Sequence, residues 1–420
     1  MLTRDEGNLA ASGRRRSALR ALLTLGLLAT GAVSAGAAIQ TQYVVIVGID
    51  GERYSESLGD PTFTWCPRRA QELTSLGARP AEFRNVGVTL TNSGFSTILT
   101  GSLQSIANDG SERPHQPTVF EYLRQQKGTP ADKVRIVLRK TKLDILAYSD
   151  HASYGSAYGA TVQLGYATDA QVYQAARTAL IQYEPVLTFV HFGEPDLAGH
   201  SNNWLGYLAG IRAADSLVWR LWNDIQAIPA MAGKTTMLIS NDHGRHDAAH
   251  GGFQNHGDGC EGCRRIVGMM IGPDNHVGLV SEAHHDQRAI ARTAGHLLGL
   301  TMPLADATSE VMDDLLLEPS GELDVPGSGA VPPRLALAVF PNPTRAGAEV
   351  RVHDAPPGAR VELLDASGRR VATLSPAGAI RGAWTWSGTD DAGRAVPPGR
   401  YVVRVSARGE VRDAALVKLR

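Results

Sequence analysis

Gln42-Tyr-Val-Val-Ile-Val-Gly-Ile-Asp50 is an unbroken apolar run that ends in a carboxylate. A strand with apolar side chains on both faces has to be covered on both faces, which is the situation of a parallel sheet between layers of helix. Further strands are expected at Val134–Leu138, Leu143–Tyr148, Val186–Phe192, Thr235–Ser240 and Arg265–Ile271. Helical patterns fall between several of them, over Val119–Gln126, Asp169–Gln182 and Leu208–Ile228, and Asp286–Leu298 closes the series. Strands alternating with helices predict an α/β sheet. In such sheets ligands gather outside the carboxyl ends of the strands, which is where Asp50 falls.

The ends of the chain have a different character. Arg14-Arg15-Arg16 precedes the apolar run Ala21–Val33, and small residues follow at Ser34-Ala35-Gly36-Ala37. This is the pattern of a secretory signal peptide over residues 1–38, with a retained N-terminal anchor as the alternative, and the run is short for a membrane span. Arg15-Arg16 loosely resembles a twin-arginine signal. An exported protein is expected, periplasmic, cell-surface or extracellular. After residue 317 a Pro/Gly/Ser-rich linker, 318–335, separates the α/β domain (39–317) from a tail of short alternating segments (336–420). Glu349–His353, Arg360–Leu364, Ala383–Trp386 and Arg400–Val405, with turns at Asp365–Gly368 and Asp390–Gly393, predict a small β-sandwich. The formal net charge of −1 supplies no field toward nucleic acid, and no nucleic-acid polymer is expected as a partner. Among Cys66, Cys260 and Cys263, a disulfide between two of the three is expected. One CxxC without a second does not make a zinc ribbon.

The chemistry-bearing residues follow the strands. Glu194-Pro-Asp196-Leu-Ala-Gly-His200 and Ser240-Asn-Asp242-His243-Gly244 each place an Asp and a His close together, and Asp50 adds a third segment. Carboxylate oxygen and imidazole nitrogen are ligands for zinc and other borderline divalent metals. The bland alternative is solvated loop histidines and a capping Asp. Three pieces in compatible positions favour a metal site, and two clusters suggest two metals. The stretch Thr89–Gly101 is dense in hydroxyls, including Thr91 and Ser93. Metal coordination can activate such a hydroxyl, and a helix N-terminus there would both use hydroxyl caps and favour a phosphate.

Together these motifs resemble the alkaline phosphatase superfamily, and within it the nucleotide pyrophosphatase/phosphodiesterase-like branch, over about Tyr43 to Ala307. The resemblance implies an alkaline-phosphatase-like sandwich with a central, mostly parallel sheet. It implies two divalent metal ions, with zinc the expected element. One would be held by Asp196, His200 and His256, with His250 as a second candidate for the last ligand. The other would be held by Asp50, Asp242 and His243, with Thr91 beside it as nucleophile. The implied activity is hydrolysis of a small phosphate ester through a phospho-threonine. Departures stand at Asn92-Ser93-Gly94-Phe95, where the branch has Phe-Pro-Asn-His. Gly94 replaces the Asn that would hold phosphate oxygens, Asn92 is a candidate substitute, and Ser93 is a rival nucleophile. The Cys/Ser-x-Pro-x-Arg setting of sulfatases is absent. Sulfate, phosphonate and phosphotransfer chemistry on the same machinery are the alternatives, as is a non-catalytic, metal-stabilised surface protein.

Phe340-Pro-Asn-Pro343, Asp365-Ala-Ser-Gly368 and Pro398-Gly-Arg-Tyr401 make the tail resemble the flagellar-hook-capping type of Ig-like domain. That resemblance implies either contact with the cell surface or secretion machinery, or a plain spacer. Substrate specificity is expected in Ser102–Tyr166 and Ser201–Gly206. There Lys140 and Lys142 are candidates for an anionic substrate or for solvated charge, and Tyr148, Tyr154 and Tyr158 for stacking or packing. Oligomeric state is not legible.

Overall fold

The computed structural model describes residues 39–317 and, beyond them, 336–340, 344–353, 358–365, 367–376, 383–407 and 410–419. The expected signal segment, the linker 318–335 and Pro341–Pro343 of the tail's opening motif lie outside the described residues.

Eight strands form the sheet of the larger domain: β1 (Tyr43–Ile49), β2 (Ala78–Arg84), β3 (Val134–Leu138), β4 (Thr161–Gln163), β5 (Leu187–Phe192), β6 (Thr235–Ser240), β7 (Gly268–Ile271) and β8 (Leu279–Asp286). Their order is β4-β3-β5-β1-β6-β7-β2-β8. β1 pairs in parallel with β5 on one side and β6 on the other. β7 runs antiparallel to both of its neighbours, so the sheet is mixed but mostly parallel. The helices are α1 (Thr74–Leu76), α2 (Thr91–Thr100), α3 (Val119–Lys127), α4 (Asp169–Tyr183), α5 (Glu194–His200), α6 (Trp204–Ala227), α7 (Glu261–Arg264) and α8 (Ala289–Leu297).

The apolar run of β1 is explained by its central place. Val44 and Ile46 pack with Phe95, Phe120 and Ile290 from α2, α3 and α8. Val45 and Val47 point the other way, into Val172, Val218 and Leu221 from α4 and α6. Two-residue alternation divides one strand between two cores, as a sheet covered on both faces requires.

Three features depart from expectation. Leu143–Tyr148 is not a strand: Thr141–Ala147 forms 3-10 turns that bury Leu143, Ile145 and Leu146. A short apolar run does not distinguish strand from buried turn, and the slot beside β3 is filled by β4. The expected disulfide does not form; all three cysteines are free. Cys66 is buried in the core that contains α4 and α6, whereas Cys260 and Cys263 flank and enter α7, where the Cys263 N–H donates to the Cys260 carbonyl at 3.0 Å. β2 and β8 also lie beyond the expected strands. Their charged and alternating residues suit the sheet's far edge.

The tail forms two four-stranded sheets, β13-β14-β10-β9 and β12-β11-β15-β16. Here β9 is Ala336–Phe340, β10 Ala348–His353, β11 Arg360–Leu364, β12 Arg370–Thr373, β13 Ser375–Pro376, β14 Ala383–Trp386, β15 Gly399–Ala407 and β16 Glu410–Lys418. Val350, Leu363, Trp384, Trp386, Val403 and Leu416 fill its core. Asp365 and Asp390 build matching turns, each carboxylate accepting backbone N–H groups two and four residues on. Tyr401 donates its hydroxyl to the Pro397 carbonyl at 2.7 Å, pinning the start of β15.

A buried ionic network fixes the segment after β1. Arg69 is fully buried and donates to both oxygens of Glu52 and, at 3.1 Å, to Asp215 of α6. Asn241, at the end of β6, donates to Glu52 at 2.8 Å and to the Ile49 carbonyl at 3.1 Å. Arg69→Met would strand two buried carboxylates. The expected loss is about 3–5 kcal/mol of unfolding free energy, checked by the shift in denaturant midpoint.

Candidate metal centre

β5, β1 and β6 are neighbours, so residues leaving their carboxyl ends share one rim. Asp50 follows β1. Gly193 and α5 follow β5, and Asn241-Asp242-His243 follows β6. Asp50, Asp242 and His243 are fully buried there, and Asp196 nearly so.

Each element is held from behind. The Asp169 carboxylate accepts the N–H groups of Gly193 at 2.8 Å and Glu194 at 2.9 Å, capping the start of α5. Burial pushes the Asp169 carboxyl up to about 7 despite these bonds. On α5, Asp196 and His200 are four apart and face one way, with Oδ2 and Nε2 3.4 Å apart. A Cβ at Gly199 would collide with the Arg245 guanidinium, so a larger residue there would displace that arginine from Asp196. Gly94 has a similar reason. A Cβ there would come within 2.7 Å of the Asp242 carbonyl oxygen. The glycine therefore lets the first turn of α2 lie directly on the segment that carries Asp242 and His243.

The histidines are oriented by backbone carbonyls. His243 Nδ1 donates to the Gly244 carbonyl at 2.7 Å, leaving Nε2 to face Asp242 Oδ2 at 3.1 Å and Asp50 Oδ1 at 3.8 Å. His256 Nδ1 donates to the Thr89 carbonyl at 2.9 Å, leaving Nε2 facing Asp196 Oδ1 at 3.7 Å and His200 Nε2 at 3.1 Å. The rings of His243 and His256 stack at 3.8 Å, so the two clusters adjoin. Burial depresses the titration of His243, His200 and His256, favouring the neutral imidazole that ligates metal.

The carboxylates carry the opposing charge. Lys140 Nζ lies 2.7 Å from Asp50 and 2.5 Å from Asp196. Arg245 pairs with the other oxygen of Asp196. Burial favours neutral carboxyls, yet Lys140 and the His191 hydrogen bond at 3.0 Å hold Asp50 well below its usual range. Burial and Asp50 both push Asp196 up, but Lys140 and Arg245 outweigh them and bring it to about 2. Asp242 lacks such a cation. Burial and the neighbouring Asp50 raise it well above the carboxylate range.

Divalent cations fit these donors. Asp50, Asp242 and His243 each offer an atom within 4.8 Å of the others, as do Asp196, His243 and His256. Asp50 Oδ1 and Asp242 Oδ2 are buried without hydrogen-bond partners. His200 Nε2 and His256 Nε2, 3.1 Å apart, need a proton or a cation between them. The second cluster differs from the first in that Lys140 and Arg245 already engage both oxygens of Asp196.

Thr91 opens α2, buried, with Oγ1 3.4 Å from His243 Nε2. Ser93 Oγ is turned away to the Ile106 carbonyl at 3.2 Å. The Asn92 amide donates to the Ala107 carbonyl at 3.2 Å. Asn108 Oδ1 accepts the Asn92 N–H at 3.0 Å and Lys142 Nζ at 3.0 Å, which brings a lysine to the start of the same helix. His250 lies apart, exposed and paired with Asp247 at 2.7 Å. Asn108, Asp169, His191 and Arg245 were assigned no role by sequence reasoning. His191 has a signal, since it interrupts the apolar run of β5 one residue before its end. The others have none short of the fold.

Residues 109–277 match the family model of the metalloenzyme superfamily, and residues 342–410 match that of the FlgD Ig-like domain. The larger domain thus has an alkaline-phosphatase-like fold, and the β region that follows matches an Ig-like domain. No curated protein matches the chain. Among solved structures, it resembles murine ectonucleotide pyrophosphatase/phosphodiesterase 5, an inactive variant in complex with AMP, at 15% identity and TM-score 0.50, covering 66% of this chain and 100% of that one. An alkaline phosphatase superfamily protein from Vibrio parahaemolyticus is similar at 12% identity and TM-score 0.50, covering 82% and 81%. A 2-O GAG sulfatase is similar at 12% identity and TM-score 0.50, covering 83% and 85%. Superfamily members are hydrolases, phosphodiesterases and sulfatases among them.

Added zinc is expected to stabilise chelator-stripped protein by about 2.7 kcal/mol at a hundredfold excess over Kd, measured as a shift in unfolding midpoint. Because the Asp242 carboxyl is raised, protons compete for it early, and the gain should shrink as pH falls through that titration. Asp242→Asn should lose most of the gain at any pH.

Proposed function

We propose that this metalloenzyme-superfamily domain is an exported phosphoric-ester hydrolase that works through a covalent phospho-threonine on Thr91. The observation that carries the reading is the buried Thr91 hydroxyl at the N-terminus of α2, 3.4 Å from His243 Nε2 in the Asp50–Asp242–His243 cluster. One divalent cation held there would ease deprotonation of the hydroxyl, and a second at Asp196, His200 and His256 would stabilise the leaving oxygen.

The chain's own residues supply the rest. Thr91 Oγ1 gives up its proton and forms the bond to phosphorus as the ester oxygen departs and is protonated to the alcohol. Water then breaks the Thr91–phosphorus bond, releasing phosphate from a monoester or a phosphate monoester from a diester, and restores the hydroxyl. The dipole of α2 favours the phosphoryl charge at its start. Lys142 and the Asn108 amide stand at the same helix start, in position to receive non-bridging oxygens. Lys140 and Arg245 hold Asp196 ionised for its ligand role. The sulfate-ester reading has fold likeness of equal strength. Thr91, in place of a Cys or Ser followed by x-Pro-x-Arg, favours phosphate.

The exported location rests on the leader-like residues 1–38, and the Ig-like domain is proposed as a surface or secretion contact. The substrate is a small phosphate ester rather than a nucleic-acid polymer.

Turnover of a p-nitrophenyl phosphodiester should vanish on chelation and return with zinc, and should exceed turnover of the corresponding sulfate. Thr91→Ala should lose on the order of a thousandfold or more in kcat while retaining bound metal. Full activity in that variant would overturn the assignment and leave Ser93 as the candidate. Lys142→Ala is expected to raise KM more than it lowers kcat, measured by steady-state kinetics.

A further inference from the structure

The loop from Gly244 to Arg265 carries His256 and ends in a group of residues that the catalytic reading does not use. The Asp258 carboxylate accepts the Cys260 backbone N–H at 3.0 Å, and the Cys260 and Cys263 side chains lie beside it. The two thiols also contact each other. His246 Nε2 lies 3.2 Å from Asp258 Oδ1. That nitrogen is buried and has no hydrogen-bond partner, so it is near the carboxylate but not aligned with it. His246, Asp258 and Cys263 each offer an atom within 4.8 Å of the others.

We propose that His246, Asp258, Cys260 and Cys263 form a structural zinc site, separate from the catalytic-type cluster. Two thiolates, an imidazole and a carboxylate are all zinc ligands. His246, Asp258 and Cys263 already stand together, and Cys260, beside Cys263, would turn in to close a tetrahedral site with no open position. Tetrahedral zinc with Zn–N near 2.0–2.1 Å and Zn–S near 2.3 Å sets neighbouring ligand atoms about 3.3–3.8 Å apart, close to the spacing of His246 and Asp258. The single Cys-x-x-Cys lacks a sequence partner for a zinc ribbon, and the fold supplies two other ligands from the same loop. Asp247, His250 and Cys260 form a second grouping. There, however, His250 Nδ1 is engaged with Asp247, and the Asp247 carboxylate also accepts two backbone N–H groups. Metal binding displaces the two thiol protons to solvent.

The consequence lies in the loop. Gly244, next to His243, donates its N–H to the Cys263 carbonyl at 2.8 Å, and the His246 N–H goes to the Asn255 carbonyl at 2.8 Å, beside His256. A cation joining His246 to Cys260 and Cys263 would close this loop and hold His243 and His256 in their stacked arrangement.

The test uses the full chain and does not depend on turnover. Cobalt-substituted wild-type protein should show thiolate-to-cobalt charge-transfer absorption in the near ultraviolet, since no catalytic-type ligand is a sulfur. Cys260→Ser/Cys263→Ser should lose that absorption and bind one zinc fewer per chain. In unmutated, zinc-replete protein, Cys260 and Cys263 should resist alkylation and become labelled after chelation, so the result does not require the variant to fold. Absence of the charge-transfer band, labelling unaffected by zinc, or an intact mass lower by two hydrogens from a Cys260–Cys263 disulfide would each overturn the proposal.

Discussion

The structure depends on gathering Asp50, Asp196 and Asp242 in one buried pocket. Two unit charges about 4 Å apart repel by about 4 kcal/mol at an effective dielectric of about 20, and burial adds a desolvation cost for each. Three ionised carboxylates would not hold there unaided. Lys140 bridges Asp50 and Asp196, Arg245 takes the far oxygen of Asp196, and His191 donates to Asp50. Asp242 is left without a cation, and burial with Asp50 beside it raises its titration.

Around that charge problem the backbone is placed closely. Gly94 brings α2 against Asp242, and Gly199 makes room for Arg245 beneath α5. Thr89 and Gly244 orient the two stacked imidazoles through their carbonyls. The altered Asn92-Ser93-Gly94 segment is thus explained by packing. Gly94 permits the approach, Ser93 turns into the Ile106 backbone, and Asn108 and Lys142 occupy the helix start instead.

Much of this was legible from the chain. The apolar run of β1, the Asp-His spacings and the hydroxyl-rich start of α2 each reflect local rules of burial, helical period and capping. Arg245 was not legible, because an arginine after His-Gly looks like any loop cation until α5 is laid over it. Lys140 read equally well as a solvated lysine. Only the neighbouring strand ends reveal two carboxylates within reach of its ammonium. Asp169 caps a helix 25 residues away, which no window of sequence contains. The Leu143–Tyr148 segment misled because burial without alternation is common to strands and buried turns.

Sequence by itself determined the α/β class, the division into a larger domain and a β-sandwich tail, and the ligand types a metal centre would draw on. These follow from periodicity and composition, which act over a few residues. The tertiary structure decided which carboxylates are neutralised by the protein's own cations, which nitrogen of each histidine faces the pocket, and that the three cysteines are not bridged by a disulfide. Those outcomes turn on distances between segments that the order β5-β1-β6 brings together, and charge–charge and hydrogen-bond energies depend on such distances rather than on position along the chain.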